Sequence, residues 1–243
     1  MNNSPLRHLP NFLTCMNLLS GCLAVVFVFK GNIPVFSILV GVSLVFDFLD
    51  GFTARALKAY SPMGKELDSL ADMVTFGLVP GAIMYHLFIN SVPLNLYQEE
   101  LWAQLLGFFP FIITIFSALR LAKFNIDTRQ SDSFIGVPTP AITIFVIGIA
   151  LIINYDRFNM TPALLNTYVI GGMSMILSFL LVSEIPLFAL KFKSFSWDKN
   201  KVQYIFLILS LASLIFLQFA GIPVVIILYL ILSLLTNLKK SQL

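Results

Sequence analysis

Long apolar runs alternate with short polar clusters along this chain, and the runs approach the length of a bilayer crossing. A helix needs roughly 20 apolar residues to span the hydrocarbon core. Eight stretches qualify: residues 12–29, 34–58, 67–89, 101–124, 138–154, 162–182, 202–220 and 222–237. Helix breakers separate them, namely Lys30-Gly31-Asn32, Ser61-Pro62, Ser91-Val92-Pro93, Gly136-Val137-Pro138 and the stretches 156–162 and 184–200. Little more than Gly221 and Pro223 joins the last two runs, so they read as a hairpin. The runs are continuous. A membrane β-barrel needs alternating strands of about ten residues, and that pattern is missing.

Composition turns these runs into membrane spans. Of the 243 residues, 58% are hydrophobic and 11% charged, with a mean hydropathy of +0.91. A soluble domain is roughly 45–50% apolar and about 25% charged, and a globule with so few charges could not cover its surface. The same figures exclude disorder, collagen and a disulfide scaffold. No basic domain is present to bind nucleic acid. The expected fold is all-α: a polytopic membrane helix bundle of about eight spans. Cys15 and Cys22 are too few for a zinc site and read as buried small apolar residues. Residues 1–10 carry Arg7 and His8 without a small-residue cleavage site, so no signal peptide is expected.

Charge sets the orientation. With the N-terminus in the cytoplasm, thirteen of the fifteen Lys and Arg residues fall at cytoplasmic ends, among them Arg55, Lys58, Lys65, Arg120, Lys123, Arg129, Lys191, Lys193 and Lys199. Only Lys30 and Arg157 fall outside, where Glu99 and Glu100 also lie.

Four acids stand where acids are costly. Asp47 and Asp50 follow an apolar run in the second span, and Asp68 and Asp72 open the third. A charged Asp at mid-helix costs roughly 2.5–3.5 kcal/mol on insertion scales, and intramembrane ionisable residues are functional by default. Asp47 and Asp50 are three apart, with Gly51 and Ala54 on the same face. Asp68 and Asp72 are four apart, with Gly64 one turn before. Two antiparallel helices joined near Ser61-Pro62 bring all four into one cluster. Four such carboxylates cannot all remain ionised without cations. Hard divalent ions with oxygen ligands, Mg²⁺ or Mn²⁺, suit them, and two ions are neutralised more readily than one. Arg55 beside them suits a phosphate or pyrophosphate. The alternative is an ion-pair network of Asp47 or Asp50 with Arg55 and of Asp68 with Lys65. Lys65 and Glu66, taken alone, read as helix-end residues that meet water.

The pattern Asp47-x2-Asp50-Gly51-x2-Ala54-Arg55-x8-Gly64-x3-Asp68-x3-Asp72 resembles the signature of the CDP-alcohol phosphotransferase family at every position. The resemblance implies a membrane enzyme with six core helices that displaces CMP from a CDP-alcohol with two divalent metal ions. It implies that Asp47, Asp50, Asp68 and Asp72 ligate metal, that Asp72 is also the general base, and that Gly51, Ala54, Arg55 and Gly64 lie against the CDP moiety. The run Pro10-Asn11-x2-Thr14-x2-Asn17-x3-Gly21 resembles the family's first helix, whose polar residues approach the nucleotide. Ordinary interhelical hydrogen bonding is the alternative for Thr14 and Asn17. The likeness covers roughly residues 8–195. The expected division is a phosphotransferase membrane domain over 1–195 and a two-helix extension over 196–243.

Within the family, the run 117–125, Phe134-x-Gly136-x-Pro138-x-Pro140, and the segment 183–193 with Pro186 and Phe192-Lys193 resemble the integral-membrane bacterial and archaeal members that use serine. That likeness implies transfer of a phosphatidyl group from CDP-diacylglycerol to serine, at the cytoplasmic face of the cell membrane, by a homodimer. An amino-acid acceptor brings a carboxylate that Arg120 can hold bidentately and Asn125 can hydrogen-bond. The alternative makes Arg120, Lys123 and Arg129 topology signals and lipid contacts. Glycerol 3-phosphate or an inositol phosphate as acceptor would call for several cations. A divalent-cation transporter would expose acids on both sides of the bilayer, whereas these four lie toward one side beside Arg55.

Overall fold

Polar side chains cap the starts of the two helices that carry the acids. Asn32 caps α2 (Ile33–Ala56) by accepting from Val35 N at 3.2 Å, with Pro34 in the first turn. Ser61 caps α3 (Pro62–Asp72) by accepting from Gly64 N at 2.9 Å, with Pro62 in the first turn. The computed structural model describes residues 5–93, 100–127, 134–156, 158–188, 197 and 200–240. Arg129, Arg157, Lys191, Lys193, Lys199 and Glu99, and the run Phe192-Lys193, lie outside the described residues.

Before α2 comes α1 (Leu9–Phe29). After α3 the same rod continues through a π-helical stretch, Met73–Leu78, into α4 (Val79–Ser91). Then follow α5 (Leu101–Gly107), a 3-10 turn at Phe109–Phe111, α6 (Ile112–Ile126), α7 (Thr139–Tyr155), the short α8 (Thr161–Leu164), α9 (Thr167–Val182), α10 (Lys201–Leu217) and α11 (Gly221–Lys240). Leu6–Phe29, Ile33–Ala56, Pro62–Ser91, Leu101–Ile126 and Lys201–Asn237 are long and apolar enough to cross a membrane, and Thr139–Tyr155 and Thr167–Val182 are shorter apolar helices. Lys201–Asn237 is broken at Gln218, whose φ is +52°. There α10 and α11 fold back on one another, with Gly221 so close to the α10 backbone that a Cβ would lie 2.5 Å from Ser213 O. The hairpin is as expected, a few residues earlier than the Gly221-Pro223 junction. The chain is an integral membrane protein with a polytopic helical bundle.

Two narrow stripes position the site. Residues buried on α1 recur as Pro10, Thr14, Asn17, Gly21, Ala24 and Val28, and those on α2 as Phe36, Val40, Ser43 and Asp50. Steps of three and four keep each stripe on one helix face. Both stripes are polar at the end that carries the carboxylates and apolar at the other. The apolar core continues through Phe76, Val79, Ile83 and Met84 to Ile142, Val146 and Ile170.

Three features depart from the expectations. The third span contains the π stretch just after Asp72. Its register shift is supported from outside: Thr114 Oγ1 donates to Gly77 O (3.0 Å) and Thr143 Oγ1 donates to Phe76 O (3.2 Å). A two-stranded antiparallel pairing joins β1 (Phe134–Ile135) to β2 (Pro186–Leu187), with Phe134 opposite Leu187 and Ile135 opposite Pro186. Cys15 and Cys22 are free and exposed on the outer side of α1, off the stripe that packs, so the expectation of buried cysteines is corrected.

Candidate active site

The α2–α3 turn and the end of α1 enclose the site. On α2, Asp47 continues the stripe of Phe36, Val40 and Ser43, so it and Asp50 face inward toward α1 and α3. The Ser61 cap fixes the start of α3, which puts Gly64, Asp68 and Asp72 along one face at steps of four. Carboxylate oxygens of Asp47, Asp50 and Asp68 all lie within 4.8 Å of one another. Asp72, one turn beyond Asp68, lies within electrostatic reach of Asp47, Asp68 and Asp50, and its Oδ1 accepts from Asn17 Nδ2 at 3.3 Å.

The alternative ion-pair network is absent among the described residues: Arg55 makes no ion pair with Asp47 or Asp50, and Lys65 none with Asp68. Lys65 Nζ instead donates to the carbonyl of Asn125 at 3.0 Å. Asp68 Oδ1 is buried and no group among the described residues hydrogen-bonds to it. A buried, unpaired carboxylate oxygen beside two further carboxylates is the donor set that a hard divalent cation takes. The chain therefore carries an acidic cluster compatible with metal binding.

Next to the cluster lies a cavity of about 540 Å³, lined by Pro10, Asn11, Thr14, Asp50, Gly51, Ala54, Arg55, Tyr60, Ser61, Gly64, Lys65 and Asp68, among others. Every residue that the signature associates with the CDP moiety is on this wall. A Cβ on Gly64 would stand 3.0 Å from Asn11 Oδ1 and from Ser61 Oγ, and one on Gly51 would stand 3.5 Å from the Arg55 guanidinium. The glycines thus keep the floor open where side chains already crowd it.

The first-helix polar residues serve the acids. Thr14 Oγ1 lies 2.6 Å from Asp50 Oδ2 and 3.0 Å from Pro10 O, and it also lines the cavity. Asn17 is fully buried and does not reach the cavity wall. Its side chain donates to Asp72, while its carbonyl accepts from Ser43 Oγ (3.2 Å) and Thr75 Oγ1 (3.3 Å). Thr75 belongs to the π stretch, so the first turn after Asp72 is tied to the residue that orients Asp72. Sequence reasoning did not single out Thr75, Tyr60 or a cavity role for Lys65. Only proximity to the signature signals them.

Arg120 and Asn125 fall on the last turns of α6. Arg120 is 9% exposed, its Nε is buried without a partner among the described residues, and it lies within electrostatic reach of Asp72. Its guanidinium carbon stands 5.8 Å from the centroid of the Phe124 ring. Asn125 Nδ2 donates to Ser69 Oγ at 2.8 Å, so its amide bridges α6 to α3 beside Asp68. Lys123 is exposed and pairs with Glu184 at 2.9 Å.

Comparison with known proteins matches this arrangement. Residues 7–183 fit the family model described as CDP-alcohol phosphatidyltransferase. The chain is 31% identical over 220 residues to the CDP-diacylglycerol–serine O-phosphatidyltransferase of Helicobacter pylori, covering 88% of this chain and 84% of that one. It is 33% identical over 180 residues to the enzyme of the same name from Bacillus subtilis, covering 74% and 89%. It is 32% identical over 155 residues to that of Methanocaldococcus jannaschii, covering 64% and 66%. The family match takes in the first-helix stripe, the carboxylate cluster and the open-floored cavity together, and the chain belongs to the CDP-alcohol phosphatidyltransferase family.

Proposed function

We propose that this protein transfers the phosphatidyl group of CDP-diacylglycerol to the hydroxyl of L-serine, forming phosphatidylserine and CMP. The observation that carries the chemistry is the group of three carboxylates within 4.8 Å on the edge of a 540 Å³ cavity that also holds Arg55. The relatives named above supply the acceptor, and buried Arg120 within reach of Asp72 suits its carboxylate.

Asp47, Asp50, Asp68 and Asp72 would hold two divalent ions, Mg²⁺ or Mn²⁺. When bound, the ions neutralise charge on the transferred phosphate and on the leaving CMP. Arg55 grips the pyrophosphate, and Gly51, Ala54 and Gly64 admit the nucleotide against the helix backbones. Thr14 and Asn17 orient Asp50 and Asp72. Asp72 accepts the proton of the serine hydroxyl. The serine oxygen then bonds to the phosphorus that bears diacylglycerol, and the bond from that phosphorus to the CMP oxygen breaks. Direct displacement fits better than a covalent enzyme intermediate. Ser61, the serine on the cavity wall, accepts from Gly64 N, and among the described residues it has no hydrogen bond to a carboxylate or histidine that would activate it as a nucleophile. Arg120 and Asn125 hold the amino acid.

The phosphotransferase domain would comprise residues 1–195 and the extension 196–243. The site would open to the cytoplasm of a cytoplasmic-membrane protein, because Arg55, Lys58, Lys65, Arg120 and Lys123 gather at the same helix ends as the acids. A homodimer is the proposed assembly. Purified protein with CDP-diacylglycerol and Mn²⁺ tests the reading through CMP release with serine, glycerol 3-phosphate or inositol phosphate. Serine should support the fastest release. Faster release with either phosphate would overturn the acceptor assignment.

A further inference from the structure

The segment that leaves α9 does not run straight into solvent. It crosses the end of α6 and is held along both edges. On one edge, Gly136 N donates to Ile185 O at 2.9 Å, and β2 pairs with β1. Gly136 has φ +78°, and a Cβ there would stand 2.8 Å from Ser183 O. Lys123 holds Glu184 from α6. Leu181, Val182 and Ser183 face Arg120 and Lys123 across a small cavity. This segment is therefore one wall of the space around Arg120.

The other edge is held by α11, which lies beyond the family match at residue 183. Tyr229 Oη donates to Phe188 O at 2.9 Å. Ser233 Oγ accepts from Phe188 N at 3.4 Å. Asn237 Nδ2 donates to Pro186 O. The three residues are spaced by four, so they form one ridge on the helix. Ser233 is fully buried. The Phe188 ring packs edge-on to Phe206 (5.9 Å between centroids) and Tyr229 (4.9 Å), so side chain and backbone are gripped together. Tyr229 and Asn237 donate to the carbonyls of 188 and 186. Ser233, which itself donates to Tyr229 O at 2.7 Å, accepts from the N–H of 188, so one face of the helix holds this segment through its peptide groups.

We infer that the Tyr229, Ser233 and Asn237 ridge of α11 positions segment 183–188 against Arg120, and so tunes binding of the amino-acid acceptor rather than of the nucleotide. The inference rests on the assignment of Arg120 to the serine carboxylate. These are positioning residues, since none of them touches the carboxylate cluster or the cavity beside it. The C-terminal hairpin thereby becomes part of the acceptor site.

The test uses the full chain in nanodiscs, with KM for serine and for CDP-diacylglycerol measured separately and thermal unfolding followed in parallel. In the triple variant Tyr229→Phe, Ser233→Ala, Asn237→Leu, serine KM should rise roughly 10- to 100-fold, the scale of loss when a remote change misplaces a binding group. The KM for CDP-diacylglycerol should stay unchanged, while the unfolding temperature falls only slightly through the three lost hydrogen bonds. Should the triple variant fail to fold, Tyr229→Phe removes one hydroxyl and supports the same comparison. An unchanged serine KM, or a rise in both KM values together with a lower unfolding temperature, would overturn the proposal. If the unmodified protein does not use serine, the acceptor assignment fails and the proposal falls with it. If it does use serine and the variants do not change serine KM, only the proposal falls.

Discussion

Thr14 Oγ1 stands 2.6 Å from Asp50 Oδ2, linking the first helix to a carboxylate 36 positions away in sequence. At that separation the hydrogen bond is a short one, and Asp50 is one of the three acids whose oxygens lie within 4.8 Å of one another. The contact therefore fixes which way Asp50 presents its second oxygen. Thr14→Val keeps the shape and removes the donor. Loss of a partner that orients a metal ligand typically costs 10- to 100-fold in metal affinity. Mn²⁺ titration of Thr14→Val should show a loss of that order, and Thr14→Ser should restore binding. Unaltered Mn²⁺ affinity in Thr14→Val would make the bond a packing feature.

The Asp68 oxygen without a partner gives a second test. Asp68 sits on α3 because Ser61 and Pro62 set the helix start, and its buried Oδ1 is left for a cation. Asp68→Asn keeps the volume but removes the charge. Turnover should be abolished and Mn²⁺ binding weakened. Full activity with normal metal affinity would remove Asp68 from the metal site.

Much of this site was legible because an acid within a membrane span is too costly to serve packing alone. Asp47, Asp50, Asp68 and Asp72 could be placed on helix faces by spacing, and the Ser61-Pro62 break showed which two helices must meet. The partners of Thr14 and Asn17 were not legible. Helical spacing says that they share a stripe, but not whether the stripe meets a nucleotide or a carboxylate. The structure gives Asn17 to Asp72 and Thr14 to Asp50. The π stretch at Met73–Leu78 left no trace in the apolar pattern, because one extra residue per turn is invisible in a run that is apolar all round. Its supports, Thr114 and Thr143, come from distant helices. The β1–β2 pairing was hidden for a similar reason: two-residue strands carry no period to read.

Asp72 gives a third test, run at saturating metal because it also belongs to the cluster. Its Oδ1 accepts from Asn17, and Asp72→Asn preserves an oxygen at that position, so the local packing should survive. A general base contributes typically 10²–10⁴-fold to rate. At saturating Mn²⁺, Asp72→Asn should lower kcat within that range and leave KM for CDP-diacylglycerol little changed. If saturating metal alone restores the rate, Asp72 is a ligand and the proton goes elsewhere.

Arg120 separates the acceptor from the nucleotide. It is buried at the end of α6 with an unpaired Nε among the described residues and lies within reach of Asp72, whereas Arg55 lines the cavity between α1, α2 and α3. Arg120→Lys keeps the positive charge but replaces a planar fork with a point charge, so a bidentate carboxylate contact is lost. Hydrogen bonds to charged groups are worth roughly 1.5–3 kcal/mol, which corresponds to a rise in serine KM of about 10- to 150-fold. The KM for CDP-diacylglycerol should hold nearly constant, because Arg55 and the carboxylate cluster bind that substrate. Steady-state kinetics with each substrate varied in turn distinguishes the outcomes. Equal losses for both substrates would show that Arg120 supports the bundle near Phe124 rather than the acceptor. An unchanged serine KM would leave it as a positive charge that orients the chain in the membrane.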